Sequence, residues 1–151
     1  MSVEEYVTGE ILELEGLTRG DIGGIPIAKL MDILAYEQVL GKAFSFRNDK
    51  RQLLAVGGIR YTNMGVGTAW FYGSTRIPEN KEIFCKDVAT ITPLLVEEMG
   101  LHRLQAEVME DKPSWIRWAE SYGFKKEGVM KHYYPNKKNA IMMARITKDN
   151  K

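Results

Sequence analysis

The chain has 151 residues, a single cysteine (Cys85) and a net charge of +1, from 21 Lys and Arg against 20 Asp and Glu. That is enough for one domain with its own core, and it excludes an internal disulfide, a cysteine-based metal centre and bulk, charge-driven nucleic-acid binding, which needs a concentrated basic surface. His102 and His132 have no partner at ligand spacing, no apolar run nears the ~20 residues that cross a bilayer, and the acidic start Met1–Tyr6 lacks the basic lead of a secretory signal, so a reducing, cytoplasmic setting is expected.

In chain order, residues Glu10 to Leu17 alternate Leu12 and Leu14 with Glu13 and Glu15, which predicts a half-buried strand. From Pro26 to Leu40 the period lengthens: Ile27, Leu30, Met31, Leu34, Ala35 and Gln38 share one helical face, with Pro26 suited to the first turn and Gly41 to the stop. Three strands follow at Lys42 to Arg47, Leu53 to Thr62 and Gly67 to Gly73. The turns between them are too short for crossovers, so they pair antiparallel. Glu79 to Met99 reads as a helix with a kink or restart at Thr92-Pro93 and a stop at Gly100. Arg103 to Met109 alternates cleanly, with Leu104, Ala106 and Val108 opposite Arg103, Gln105 and Glu107. Asp111 can cap a helix over Lys112 to Tyr122 that carries Trp115, Trp118, Ala119 and Tyr122 on one face. Strands over Lys125 to Tyr134 and Ala140 to Ile146 close the chain.

The order β-α-β-β-β-α-β-α-β-β, with a parallel crossover between Gly67 and Met109, predicts an α+β fold: one domain over 1–151, a mixed, mostly antiparallel sheet, and helices on both faces. The apolar, Met-rich strand Ala140-Ile-Met-Met-Ala144 offers itself for pairing with, or packing against, a second copy, so a homodimer is an open expectation.

This order, with the stretches Leu101-His-Arg-Leu-Gln-Ala-Glu-Val108, Ser114-Trp-Ile-Arg-Trp-Ala-Glu-Ser-Tyr-Gly-Phe124 and Lys125-Lys-Glu-Gly-Val-Met130, resembles the GNAT superfamily of acetyl-CoA-dependent N-acetyltransferases. The resemblance implies acetyl-CoA as co-substrate and direct transfer to a primary amine of a small molecule or protein. The family's phosphate loop, Arg/Gln-x-x-Gly-x-Gly/Ala, is eroded here to Gly73-Ser-Thr-Arg-Ile-Pro-Glu-Asn-Lys81, as in small phage-encoded members, which would work in a host cytoplasm. For such a chain the alternative is a binding or structural protein that keeps the fold without the activity.

An amine must lose a proton before it attacks a thioester, and the charge that develops on oxygen needs a donor. The resemblance places Glu107 as base, with Tyr122, His132 or Tyr134 near the reacting groups and Tyr133 beside them. It places Phe71 and Tyr72 at the splayed strand edge, and Gly73, Ser74, Thr75, Arg76, Lys112, Trp115 and Trp118 along the co-substrate. Each has a plainer reading: a solvated strand glutamate, a surface histidine, core aromatics, a loop arginine. Cys85 reads as a structural thiol. The lysines 125, 126, 131, 137 and 138 read as solvated residues, so neither a nucleic acid nor a membrane is an expected partner.

Overall fold

Alternating patterns flanked by short polar turns become a hydrogen-bonded meander in the computed structural model, which describes residues 3–14 and 26–147. Its strands are β1 (Val3–Glu5), β2 (Gly41–Arg47), β3 (Leu53–Asn63), β4 (Val66–Gly73), β5 (Arg103–Met109), β6 (Lys125–Met130) and β7 (Ala140–Ile146). Its helices are α1 (Ile27–Leu40), α2 (Lys81–Met99) and α3 (Pro113–Ser121). The strands form one seven-stranded sheet in the order β1-β2-β3-β4-β5-β7-β6. Every neighbouring pair is antiparallel except β4 and β5, which are joined through α2 and run parallel.

One face carries α1, whose Leu30 and Leu34 are fully buried against Ala43, Leu53 and Val56. The other carries α2 and α3. Phe84 packs with Phe46, Leu54 and Ala55. Leu95 and Met99 cover Ile59 and Leu104, and Ile116 sits on Ile141 and Met143. Gly57 is needed for this packing, because a Cβ there would lie 2.8 Å from the Cβ of Phe71. The fold is thus the mixed α+β sheet with helices on both faces that the patterning predicts.

Several details differ. Residues Glu10–Glu13 form a single 3-10 turn, not a strand, entered through Gly9 in the left-handed region; Ile11 and Leu14 are buried while Leu12 is exposed. Tertiary hydrogen bonds override the alternation, since one oxygen of Glu10 accepts from the Val7 N–H and the Ser45 hydroxyl and the other from Arg47. Residues 15–17 of the expected strand lie outside the described residues. The three-residue β1 is too short and too acidic to show in the pattern. α2 runs through Pro93 without a restart. Asp111 does not cap α3 but pairs with Lys138 at 2.6 Å. The sixth strand stops at Met130, leaving 131–139 as a loop in which His132 and Lys137 take positive φ. β7 lies between β5 and β6, so both its edges are occupied and the expected pairing with a second copy through this strand is not available.

Candidate active site

β4 and β5 pair only at Val66 with Arg103, Gly67 with Leu104 and Thr68 with Gln105, and then diverge. Fully buried Thr68 locks the vertex, its hydroxyl bonded to Thr62 and to the Gln105 amide. Beyond it opens a cavity of about 710 Å³ lined by both strands and by α2 and α3. Phe71, Tyr72, Ala106 and Val108 sit on the two middle strands of the sheet, yet all remain partly exposed because no strand or core residue fills the gap. The backbone adds donors. The Ser74 N–H donates to the Leu54 carbonyl at 2.8 Å, and strand groups alternate in direction. The N–H groups of Tyr72 and Trp70 therefore turn toward β3, while those of Phe71 and Gly73 turn into the opening.

On the α2–α3 side the opening is walled by rings: Phe71 lies 4.8 Å from Trp115 and 5.7 Å from Trp118, and Trp118 is 5.5 Å from Tyr122. The Tyr122 hydroxyl donates to the Cys85 carbonyl at 2.8 Å. Burial pushes both the Tyr122 phenol and the Cys85 thiol up.

On the α1 side the groups are polar. Arg60 of β3 donates to buried Glu37 of α1 at 2.9 Å and lies 3.8 Å from Glu107 of β5. Burial is the largest influence on Glu37 and raises its carboxyl, against the pull of Arg60. Burial, then the charge of Glu37, pushes the Tyr72 phenol up to about 12. Burial and the neighbouring Glu107 raise Tyr134, and the same two causes raise Tyr133. All three phenols therefore stay protonated at neutral pH.

At the α2 end of the opening, the loop after β4 has used several of its amides. The Arg76 N–H donates to the Ser74 hydroxyl, the Ile77 N–H to the Ser74 carbonyl and the Asn80 N–H to the Ile77 carbonyl; Pro78 has none to give. The cations on the cavity wall here are Lys81 and Lys112.

Of the residues singled out from the sequence, the structure brings together Phe71, Tyr72, Gly73, Ser74, Thr75, Glu107, Lys112, Trp115, Trp118, Tyr122 and Tyr134 around this one cavity. It does not bring Arg76 or His132 to the wall. Arg76 lies in the turn that leads into α2, where Asn80 holds its carbonyl, and His132 is exposed in the loop after β6. Sequence reasoning missed Glu37, Arg60 and Lys81. A signal existed for the first: Glu37 follows Leu30 and Leu34 along the buried stripe of α1, and a carboxylate on such a stripe asks for a partner.

No protein-family model matches the sequence, and no curated protein matches it at a significant level. Solved structures do resemble it. Ard1 from Thermoplasma volcanium superposes with a TM-score of 0.75 at 16% identity, covering 97% of each chain. The ribosomal-protein-S18-alanine N-acetyltransferase from Escherichia coli gives 0.74 at 16%, covering 99% of this chain and 95% of the other. A mutant of the spermidine N-acetyltransferase SpeG from Vibrio cholerae gives 0.74 at 10%, covering 97% and 95%. At these identities the likeness speaks for architecture, and this chain has the GNAT acyltransferase fold that those N-acetyltransferases share.

Proposed function

We propose that the protein transfers an acetyl group from acetyl-CoA to a primary amine by direct attack with both substrates bound. The observation that carries this reading is the opening between β4 and β5, which has a backbone donor on its edge and a carboxylate on the opposite strand. Acetyl-CoA supplies the activated acetyl as a thioester and leaves as the free thiol.

The residues present fit the thioester arm: a cavity of about 710 Å³ walled by Phe71, Trp115 and Trp118 lies within the size range of cofactor sites. The diphosphate end meets side chains in place of a glycine amide cradle, with Lys81, Lys112, Ser74 and Thr75 as its donors. A loop of this kind belongs with the phage-like, degenerate form of the motif. Arg76 would act only from the second rank, through the turn it shares with Asn80.

In this scheme the Phe71 N–H donates to the acetyl oxygen, where negative charge develops. Glu107 takes the proton that the ammonium must lose before its nitrogen can bond to the acetyl carbon. Tyr134, protonated and on the cavity wall, gives its proton to the departing sulfur and takes up the second proton that the nitrogen loses as the amide forms; the hydrogen of Tyr122 is engaged by the Cys85 carbonyl. The stack of rings keeps water from the thioester.

The test has two parts. Acetyl-CoA at about 100 times its Kd should stabilise the fold by about 2.7 kcal/mol in thermal melts. Glu107→Gln should keep that stabilisation while losing on the order of 10²–10⁴ in kcat. A melting curve indifferent to acetyl-CoA would point instead to a protein that retains the fold as a binding module.

A further inference from the structure

Behind Glu107, the carboxylate on the wall of the opening, Arg60 and Glu37 complete a cluster of two carboxylates and one guanidinium on the α1 side. Glu37 is 6% exposed, and one of its oxygens is bonded to Arg60 at 2.9 Å. Its other oxygen is buried with no hydrogen-bond partner. A buried carboxylate with an orphaned oxygen is costly, and the fold retains it for the sake of the one partner it has. Arg60 in turn reaches Glu107, on the cavity wall, at 3.8 Å. The guanidinium is thus occupied from both sides, and the cluster keeps one surplus negative charge. Around it stand Trp70, Tyr72 and Tyr134, flat apolar surfaces with neutral hydroxyls.

We propose that Glu37 determines which acceptor enters: by holding Arg60 it denies the guanidinium to any incoming carboxylate. The site it leaves fits a small primary alkyl or arylalkyl amine with no carboxylate beside its nitrogen. This rests on the reading of the opening as an acetyl-transfer site and goes beyond it, because that reading is indifferent to what the amine carries. One ammonium neutralises the surplus charge, and the rings of Trp70, Tyr72 and Tyr134 take the carbon skeleton and attract the cation through their faces. An amino acid brings a carboxylate toward Glu107 and Glu37, whose one shared cation, Arg60, is already engaged by both.

The experiment compares phenethylamine, phenylalanine and phenylalanine amide, which share a skeleton and differ in the group beside the amine. Acetylated product is measured with acetyl-CoA, and binding of each amine is measured by calorimetry without it. Phenethylamine should exceed phenylalanine by on the order of 100-fold, and the amide, having lost the charge, should fall within several-fold of phenethylamine. In Glu37→Gln, Arg60, left with Glu107 alone, should accept the carboxylate, and the preference for phenethylamine over phenylalanine should shrink by about tenfold or more.

Should that variant not fold, the wild-type preference serves: it should diminish between low and molar salt, as a charge effect does. Phenylalanine equal to phenethylamine, a preference unchanged in a folded Glu37→Gln, or one indifferent to salt would overturn the assignment. So would the amide bettering phenethylamine tenfold, or no binding of any of the three. Amines that bind with the expected preference but are never acetylated would sink the transferase reading and leave the selection standing. Acetylation without the preference would do the reverse.

Discussion

At Tyr72 burial and the charges of Glu37 and Glu107 act on one phenol, and they outweigh the opposing charge of Arg60. Its hydroxyl is pushed up to about 12, so it keeps its proton through the range in which an exposed tyrosine loses it. A raised folded value means a contribution to stability that is fully present below the unfolded value near pH 10 and is lost as pH rises toward 12. The loss should approach 1.4 kcal/mol per pH unit for this one proton. Urea titrations between pH 9 and 11.5 should therefore show an alkaline decline that is shallower in Tyr72→Phe. Residue identity alone places Tyr72 on a strand. Its environment comes from Glu37, Arg60 and Glu107, which lie on α1, β3 and β5 and meet only in three dimensions. Arg76 shows the converse: its loop position was legible, but the turn that bonds its N–H to Ser74 keeps it off the cavity wall.

Among the elements, the turn at Glu10–Glu13 is held by Arg47 as well as by its buried Ile11 and Leu14. Arg47 is nearly buried and donates to Glu10, to Glu13 at 2.9 Å and to the Arg51 carbonyl at 3.0 Å. Burial works to raise the Glu10 carboxyl, but the Val7 N–H, Arg47 and the Ser45 hydroxyl together hold it below the ordinary range. A depressed value contributes stability above the unfolded carboxyl's midpoint near pH 4.3, and that contribution disappears as pH falls through the folded one. Arg47→Met should cost about 2–3 kcal/mol at pH 7 in denaturant melts. It should also flatten the acid limb below pH 5, because Glu10 would no longer be held ionised. This explains why the pattern misled here: Leu12 and Leu14 alternate as in a strand, and an ion pair with a residue 34 to 37 positions away decides otherwise. β5 and β7 agree with their expected bounds to the residue, although β5 also carries distant ion pairs, Arg103 with Glu127 and Glu107 with Arg60.

For the molecule as a whole, two half-sheets, β1 to β4 and β5 to β7, are joined by three residue pairs at the vertex. The bonds of Thr68 to Thr62 and Gln105 fasten that joint. Thr68→Val keeps the shape and removes the bonds to exposed Thr62 and half-buried Gln105, so it should cost about 0.5–1.5 kcal/mol in chemical denaturation. Among the described residues no helix is long and apolar enough to cross a membrane. The sequence by itself missed β1 and put a strand where Glu10–Glu13 turn, but it determined the three helices, the antiparallel meander β2 to β4, the single parallel crossover and the bounds of β5 and β7. These follow from local periodicity and from turns too short for any other connection. Only the tertiary structure decided that β4 and β5 part after three pairs, that Glu37 and Arg60 stand beside Glu107, and that Arg76 and His132 stand apart. Separations of tens of residues close there through packing and charge, and neither force leaves a period in the chain.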